Sequence, residues 1–122
     1  MKFDEQNLQE VMVVRPLEKR LDSYMAEEFK AHMKSIVQSG HQQIVLDMSD
    51  VEFVDSSGLG AIIATMIALR PLGRLMVCNV RDKVVSLFRL TRMDRVIPVM
   101  KNAEEALLAM SLIDNDSEIK KP

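Results

Sequence analysis

The chain has 122 residues, of which 48% are apolar and 28% are charged, and it contains only four Gly and four Pro. This length and composition are typical of one globular domain and exclude disordered and collagen-like chains. The 16 Lys and Arg residues are balanced by 18 Asp and Glu residues, so the net charge of -2 supplies no cationic field for nucleic acid. We therefore expect a single folded domain with no nucleic-acid partner.

No segment has the features of a membrane span or a secretion signal. The longest run without a charged residue, Ser56–Leu69, has 14 residues, whereas a membrane-spanning helix needs about 20. Met1-Lys2 is followed by Phe3-Asp4-Glu5 rather than by an apolar run. The single cysteine, Cys78, excludes an internal disulfide and a paired-cysteine zinc site, and ten Met residues suit a reducing compartment. These features predict a cytoplasmic protein without membrane insertion, with Cys78 filling space in a strand.

The first third of the chain predicts a β-hairpin followed by a helix. Residues 2–6 and 11–17 have the composition of two strands, and Asn7 marks the turn between them. Asp22 or Ser23 can cap the helix that follows, and Gly40 is placed to end it. The apolar positions of this helix fall at helical spacing and are Met25, Phe29, Met33, Ile36 and Val37.

The middle of the chain predicts a buried strand and then a helix without charged residues. Residues 44–46 are a short β-branched run of the kind found in buried parallel strands, and residues 51–54 continue it after a break. The helix opens at Asp55 and must stop near Arg70, because Pro71 disfavours helical geometry in the residue before it. We expect its bulky residues to pack on the sheet; they are Leu59, Ile62, Ile63, Met66 and Ile67.

The last third predicts two more strand-helix units. Residues 75–78 and 96–100 are the strands, and Asn102 caps the final helix in a variant of the capping box. The apolar stripes are Val84, Leu87, Phe88 and Thr91 in the first helix and Ala103, Ala106, Leu107 and Met110 in the second. Residues 114–122 are mostly polar without periodicity, so we expect a domain at 1–113 and a flexible tail at 114–122.

The order of these elements predicts the fold class. A hairpin strand followed by four strand-helix units gives an α/β domain with a mostly parallel sheet and right-handed crossovers. In such sheets, ligands and partners gather at the carboxyl ends of the strands. The segment from Asp55 to Gly60 lies at that edge.

Several short motifs in this order carry a family resemblance. The run Val54-Asp-Ser-Ser-Gly-Leu-Gly60 follows Leu46-Asp-Met-Ser-Asp50, Arg20-Leu-Asp22 precedes the first helix, and Glu104-Glu-Ala106 opens the last one. With these motifs the chain resembles the STAS family of anti-sigma factor antagonists over about residues 3–112. The resemblance implies a single STAS domain that binds a protein partner and is not an enzyme.

The resemblance also implies a phosphorylation cycle without a cofactor. Ser57, the second serine of the motif, would be phosphorylated by a partner that is both anti-sigma factor and ATP-dependent serine kinase. The unphosphorylated form would bind that partner and free the sigma factor, and a metal-dependent serine phosphatase would reset the switch. The chain departs from the family pattern at two places, with Glu18-Lys19 before the Arg-Leu-Asp motif and Arg92 in place of a common Gly. Both are near expected loops, so they bear on the identity of the partner more than on the fold.

The residues around Ser57 support such a switch on physical grounds. Ser57 is expected at a strand-to-helix turn, where Gly58 has no side chain to obstruct a kinase. A phosphate near a helix N-terminus is favoured by roughly 0.3 to 1 kcal/mol, so modification should leave the fold intact. The same phosphate brings nearly two negative charges beside Asp55, which opposes binding of a partner at this surface.

The expected partner surface extends from this turn along the charge-free helix. Besides its bulky stripe, the helix has a stripe of small residues with almost nothing polar, which either packs on a neighbouring helix or stays open near Ser57 for a partner. We predict a partner interface that comprises Asp22, Asp55, Ser56, Ser57, Gly58, Gly60, Ala61 and Ala64.

Simpler interpretations of the same residues stay open. Ser56 or Ser57 can merely cap the helix, which is the commonest use of serine at this position. Asp55 can likewise be a stabilising cap, or it can orient the Ser57 hydroxyl or touch the partner. The functional alternative is a STAS adaptor subunit without phosphorylation, in a larger signalling assembly or beside a membrane transporter.

A serine hydrolase also places its nucleophile on a strand-to-helix turn. The Gly-x-Ser-x-Gly pattern is absent, and an intervening strand at about 3.3 Å per residue puts His41 on the order of 20 Å from Ser57. His32 lies midway along the preceding helix. We therefore expect both histidines to be ordinary surface residues.

Asp47 ends a central strand, as the phosphoacceptor of a receiver domain does. A receiver also needs a magnesium-binding acidic pair after its first strand, and Pro16-Leu-Glu-Lys19 does not supply one. We therefore expect Asp47 and Asp50 to accept hydrogen bonds from backbone N–H groups of their loop.

Overall fold

Alternating strands and helices give this chain a mostly parallel sheet covered on both faces. The computed structural model describes the backbone of residues 1–119 and the side chains of residues 1–112. In chain order the elements are β1 (Phe3–Leu8), β2 (Val11–Pro16), β3 (Arg20–Leu21), α1 (Ala26–Gln38), β4 (Gln43–Asp47), β5 (Phe53–Val54), α2 (Ser56–Leu69), β6 (Arg74–Cys78), α3 (Asp82–Leu90), a 3₁₀ turn (Met93–Arg95), β7 (Val99–Met100) and α4 (Ala103–Ile119).

The main sheet has five strands in the order β1-β2-β4-β6-β7. Strand β1 pairs antiparallel with β2, and the remaining pairs are parallel. In the central strand β4, Ile44, Val45 and Leu46 are at most 1% exposed, as expected where helices cover both faces. The predicted α/β class and mostly parallel sheet are confirmed.

The two faces of the sheet pack against different helices. Phe29 of α1, Ile62 of α2 and Phe88 of α3 belong to one apolar cluster, which also holds Ile44 and Leu46. The opposite cluster places Ala106 and Met110 of α4 against Val13, Val45 and Met76, which are register partners on neighbouring strands. Alternation along the strands therefore separates two cores, and α4 alone covers the second one.

Several predicted boundaries are confirmed. Helix α1 ends just before Gly40, whose φ of +101° is readily accessible to glycine. Helix α2 ends at Leu69, next to Arg70 and Pro71. The Asn102 side chain accepts a hydrogen bond from the Glu105 N–H at 2.8 Å, so the predicted cap of α4 is present.

Two predictions at the start of the chain are wrong. Strand β1 continues to Leu8, and the hairpin turns at Gln9 and Glu10, both with positive φ, instead of at Asn7. Such a two-residue turn normally carries Asn or Gly, so the sequence did not reveal it. The prediction that Asp22 or Ser23 caps α1 is also wrong. The helix begins at Ala26 with Met25 as its N-cap, because a turn comes first in which the Asp22 carbonyl accepts the N–H groups of Met25 and Ala26.

Two predicted strands are shorter than expected. Only Phe53–Val54 of residues 51–54 is a strand, and it pairs with β3 in a separate two-stranded parallel sheet. The Val51 N–H bonds to the Met48 carbonyl, and this turn takes the chain out of the main sheet. Residues 96–100 pair only at Val99–Met100, because the preceding 3₁₀ turn holds the N–H groups of residues 96 and 97.

The C-terminal part of the chain is helical as far as the structure describes it. Helix α4 continues to Ile119, and residues 120–122 lie outside the described part. The domain at 1–113 and the flexible tail at 114–122 stay predictions. Among the described residues, no helix is both long enough and apolar enough to cross a membrane.

The start of α2 lies directly against the backbone of β3. A Cβ built on the buried Gly58 would overlap the carbonyl oxygen of Leu21. The same carbonyl accepts the Asp55 N–H at 3.3 Å, so it cannot move away without disturbing the entry into α2. The close approach of α2 to β3 therefore requires glycine at position 58.

Gly58→Ala should lower the free energy of unfolding by about 1–3 kcal/mol, because the overlap with backbone outweighs the gain of about 0.5–1 kcal/mol that Ala normally has over Gly in a helix. Gly60→Ala is the matched control: nothing lies within 4 Å of its added Cβ, so it should stabilise the protein. Urea unfolding of both variants measures the difference. A Gly58→Ala protein as stable as the wild type would contradict the packing.

Candidate functional site

Asp55 holds the start of α2 in place. Its Oδ1 accepts the Gly58 N–H at 2.9 Å, which makes Asp55 the N-cap of α2. Its Oδ2 accepts the Ser23 N–H at 3.1 Å, in the turn before α1. The carboxylate therefore joins two segments that are 32 residues apart, and both of its hydrogen bonds go to backbone N–H groups. The interpretation of Asp55 as a stabilising cap is confirmed, and its contact with a partner stays a prediction.

The side chains of the two serines in the motif are exposed and do not cap α2. Ser56 and Ser57 are the first two residues of α2, and both are exposed. Because Asp55 occupies the capping position, the interpretation of Ser56 or Ser57 as the helix cap is wrong. Within residues 1–112, neither hydroxyl makes a hydrogen bond. The Ser57 hydroxyl is thus presented to solvent at the positive end of a helix dipole.

Gly58 has a different role from the one that the sequence suggested. It is buried under Leu21, so its missing side chain allows the helix to approach β3 and does not open a path for a kinase. The prediction that Gly58 leaves the turn open to a kinase is therefore wrong, and its place in the partner interface stays a prediction. The accessible residues of the turn are Ser56 and Ser57.

Asp22 lies in the same turn as Ser23 and is engaged locally. Its carboxylate accepts hydrogen bonds from the Arg20 Nε at 3.0 Å and the Tyr24 N–H at 3.1 Å. The hydrogen bond from Arg20 is the main reason why the pKa of Asp22 lies below its usual range. The side chain is 13% exposed, and its predicted contact with a partner stays a prediction.

The outward side of α2 differs in part from the predicted one. Ala61 is 4% exposed, so the prediction that Ala61 lies open is wrong. Its carbonyl oxygen accepts a hydrogen bond from the Thr65 hydroxyl at 3.0 Å. Leu59 and Ile62 are buried as predicted, whereas Ile67 is 58% exposed instead of packing on the sheet. We define the charge-free face of α2 as the exposed Gly60, Ile67 and Ala68 together with the half-buried Ala64.

The other titratable candidates have structural roles. Asp47 accepts the Ser49 N–H at 3.0 Å, as predicted, and also the Asn79 side chain at 3.1 Å. The prediction for Asp50 is wrong: among the described residues its carboxylate meets the Ser49 hydroxyl at 3.4 Å and the Arg15 Nε at 3.6 Å. Burial, followed by the charge of Asp47, raises the pKa of Cys78 to about 12, so this thiol is not a nucleophile at neutral pH.

The structure gives His32 a packing role at the N-terminal hairpin. The ring of His32 stacks on Phe3 at 3.8 Å, and its Nε2 lies 3.2 Å from the Glu5 carboxylate, so it packs the hairpin against α1. Within the described residues, no group of three or more His, Cys, Asp or Glu side chains can hold a metal ion. The arrangement around Ser57 leaves its side chain exposed at the start of α2.

Three residues beside the motif were missed in the sequence. The Arg20 guanidinium lies 4.5 Å from the centroid of the Phe53 ring, and Tyr24 is 88% exposed. Arg20 and Phe53 each precede a buried residue in β3 and β5, so the alternation of these short strands places both side chains outward. The pairing of two-residue strands gives too little periodicity to be recognised from the sequence.

Comparison with known proteins agrees with this architecture. A model of the STAS domain matches residues 3–106. The anti-sigma F factor antagonist of Paenibacillus polymyxa is 28% identical over 105 residues, which cover 84% of this chain and 89% of that protein. The solved structure of the anti-sigma factor antagonist SpoIIAA in its unphosphorylated form is 26% identical, with a TM-score of 0.67 over 90% of this chain and 98% of that one.

A further structure, that of the Bacillus cell fate determinant SpoIIAA in the phosphorylated form, has the same fold. It is 22% identical, with a TM-score of 0.68 over 89% of this chain and 99% of that one. The family model covers most of the sequence, and the described strands and helices follow the same architecture. The chain belongs to the STAS-domain family.

Proposed function

We propose that this protein is an anti-sigma factor antagonist that is switched by phosphorylation of Ser57. Unphosphorylated, it binds an anti-sigma factor that is also a serine kinase, and this binding releases the sigma factor. The observation that carries the proposal is the exposed Ser57 hydroxyl, left free at the start of α2 because Asp55 caps the helix. Named relatives of this length are anti-sigma factor antagonists, and one of them, SpoIIAA, exists in both phosphorylation states.

Phosphorylation is compatible with the fold. The kinase transfers the γ-phosphoryl group of ATP to the Ser57 oxygen, which loses its proton, and ADP leaves. The phosphate then lies at the N-terminus of α2, where the helix dipole stabilises an anion by roughly 0.3 to 1 kcal/mol. The protein therefore gains charge at a surface that keeps its shape.

The added charge acts on the partner rather than on the domain. Ser57, Gly60, Ala64 and Ile67 follow one another at intervals of three or four residues, so they share one side of α2. A partner helix can approach closely over glycine and alanine, and the phosphate would then stand at the rim of that contact. Nearly two negative charges beside the Asp55 carboxylate would have to be desolvated, which opposes binding.

A second enzyme completes the cycle. A metal-dependent serine phosphatase hydrolyses the phosphoserine with water and returns the free hydroxyl and inorganic phosphate. Both enzymes act on the same exposed residue of the same rigid turn. We assign the cycle to the cytoplasm, where ATP and the sigma factor are present.

Ser57→Ala should abolish incorporation of phosphate from ATP by the cognate kinase, because it removes the acceptor oxygen. Ser56→Ala, one residue away and also exposed, is the matched control and should be labelled like the wild type. Mass spectrometry of the labelled protein identifies the residue. Persistent labelling of Ser57→Ala would refute the assignment, and the absence of any labelling would favour an adaptor without a phosphorylation cycle.

Ala64→Arg should weaken binding of the anti-sigma kinase at least tenfold, because it puts a long charged side chain on the charge-free face of α2. Ala64 is only half-buried, so a long side chain can extend from it into solvent, and the melting temperature of the variant should fall by only a few degrees. Leu108→Arg adds the same charge at a position that is 62% exposed on α4, across the sheet, and should bind normally. If both variants bind normally, or if Ala64→Arg unfolds, the face is not the interface.

A further inference from the structure

Two aromatic side chains lie on the surface beside Ser57. The chain has only five aromatic residues, four Phe and one Tyr. Phe29 and Phe88 are fully buried, and Phe3 is half-buried in its stack with His32. In contrast, Tyr24 is 88% and Phe53 is 43% exposed. Neither ring is buried in the core, so packing within the domain does not explain these two residues. Exposed aromatic residues together with Arg are typical of the energetic centres of protein interfaces.

Strand pairing and a ring contact position the side chains of Arg20 and Phe53, and a hydrogen bond holds the backbone of Tyr24. Arg20 and Phe53 are register partners in the β3-β5 pair, and the guanidinium lies over the ring. The Arg20 Nε also donates to Asp22, whose other oxygen accepts the Tyr24 N–H. We call Arg20, Tyr24 and Phe53 the aromatic platform. Because Arg20 and Phe53 are already ordered, a partner that packs on this pair loses little conformational entropy there.

The platform and the phosphoacceptor belong to one rigid unit. Tyr24 follows Ser23, whose N–H bonds to the Asp55 carboxylate, and Phe53 precedes Asp55 by two residues in the chain. The same carboxylate caps the helix that begins with Ser56 and Ser57. The aromatic platform therefore lies on one side of Ser57, and the charge-free face of α2 continues along the helix on the other side.

A protein interface needs more surface than the first turn of α2 provides. A standard interface buries about 800 Å² on each partner, a patch about 30 Å across. A kinase that places its active site over Ser57 therefore also covers the neighbouring turn. Beside Tyr24 and Arg20 this surface has an open hollow of about 580 Å³, lined also by Glu18 and Met25. The Tyr24 ring and Met25 give this hollow apolar surface on which an apolar side chain of the partner can pack, and charged residues surround it, namely Glu18, Lys19, Arg20 and Asp22.

We propose that Tyr24 and the Arg20–Phe53 pair are a second contact for the anti-sigma kinase, which supplies affinity and partner choice while Ser57 supplies the switch. This inference rests on the proposed function. The partner inserts an apolar side chain beside the Tyr24 ring, and it packs on the Phe53 ring that Arg20 covers. The aromatic platform carries no phosphate, so its own surface is the same in both phosphorylation states.

Calorimetric titration of the cognate kinase, with ADP bound to prevent phosphoryl transfer, tests the contact. Tyr24→Ala and Phe53→Ala should each raise Kd at least tenfold, with melting temperatures within a few degrees of the wild type because both side chains are exposed. Tyr24→Phe keeps the ring and should bind within about twofold of the wild type. Leu72→Ala, 73% exposed beyond the other end of α2, is the control and should bind normally.

The outcomes separate the two proposals. Ser57→Asp, which adds a fixed negative charge at the switch residue, is titrated in the same way. If it weakens binding but Tyr24→Ala and Phe53→Ala do not, the aromatic platform is overturned and the proposed function stands. If Leu72→Ala weakens binding as much as Tyr24→Ala does, the effect is not specific to the platform and the inference fails. If the wild-type protein does not bind the kinase, both proposals are refuted.

Discussion

The carboxylate of Asp55 is the point on which the site depends. One oxygen caps α2 through the Gly58 N–H, and the other accepts the Ser23 N–H in the turn before α1. Without this residue, a serine would be the natural cap, and the hydroxyl of that serine would turn inward to the helix backbone. Because Asp55 takes over the capping, the hydroxyls of Ser56 and Ser57 are left exposed.

The surroundings of Asp55 make this arrangement rigid. The Leu21 carbonyl accepts the Asp55 N–H and lies so close to α2 that only glycine fits at position 58. The short pair of β3 and β5 connects the same region to Arg20 and Phe53. A phosphate on Ser57 would thus be added to a preformed surface. A switch of this kind changes the charge that a partner meets, and it needs no second conformation of the domain.

The sequence predicts the frame of the protein better than its surface. Strand β4, the end of α2 before Pro71 and the Asn102 cap of α4 follow from local signals, namely a β-branched run, a proline and a capping side chain. The position of Ser57 at the start of α2 follows in the same way. The family resemblance agrees with this frame and adds the expectation that Ser57 is phosphorylated, which the geometry allows.

The remaining features depend on contacts between distant segments, which local patterns do not contain. Residues 53 and 54 form a strand because they pair with residues 20 and 21, outside the main sheet. Gly58 is buried because of the Leu21 carbonyl, and Ala61 lies inside while Ile67 lies outside because neighbouring elements set the rotation of α2. In a helix with no charged residue, the hydrophobic pattern is too uniform to show which side faces water.

The most direct test of the account is a pair of calorimetric titrations of the cognate anti-sigma kinase. One uses the protein phosphorylated at Ser57, and the other uses the same preparation after enzymatic dephosphorylation. The account predicts that the phosphate weakens binding at least tenfold, about 1.4 kcal/mol, while the melting temperature and the amide spectrum outside the start of α2 stay unchanged. Equal affinities of the two forms, or a loss of the fold on phosphorylation, would contradict a switch that acts through charge at a rigid surface.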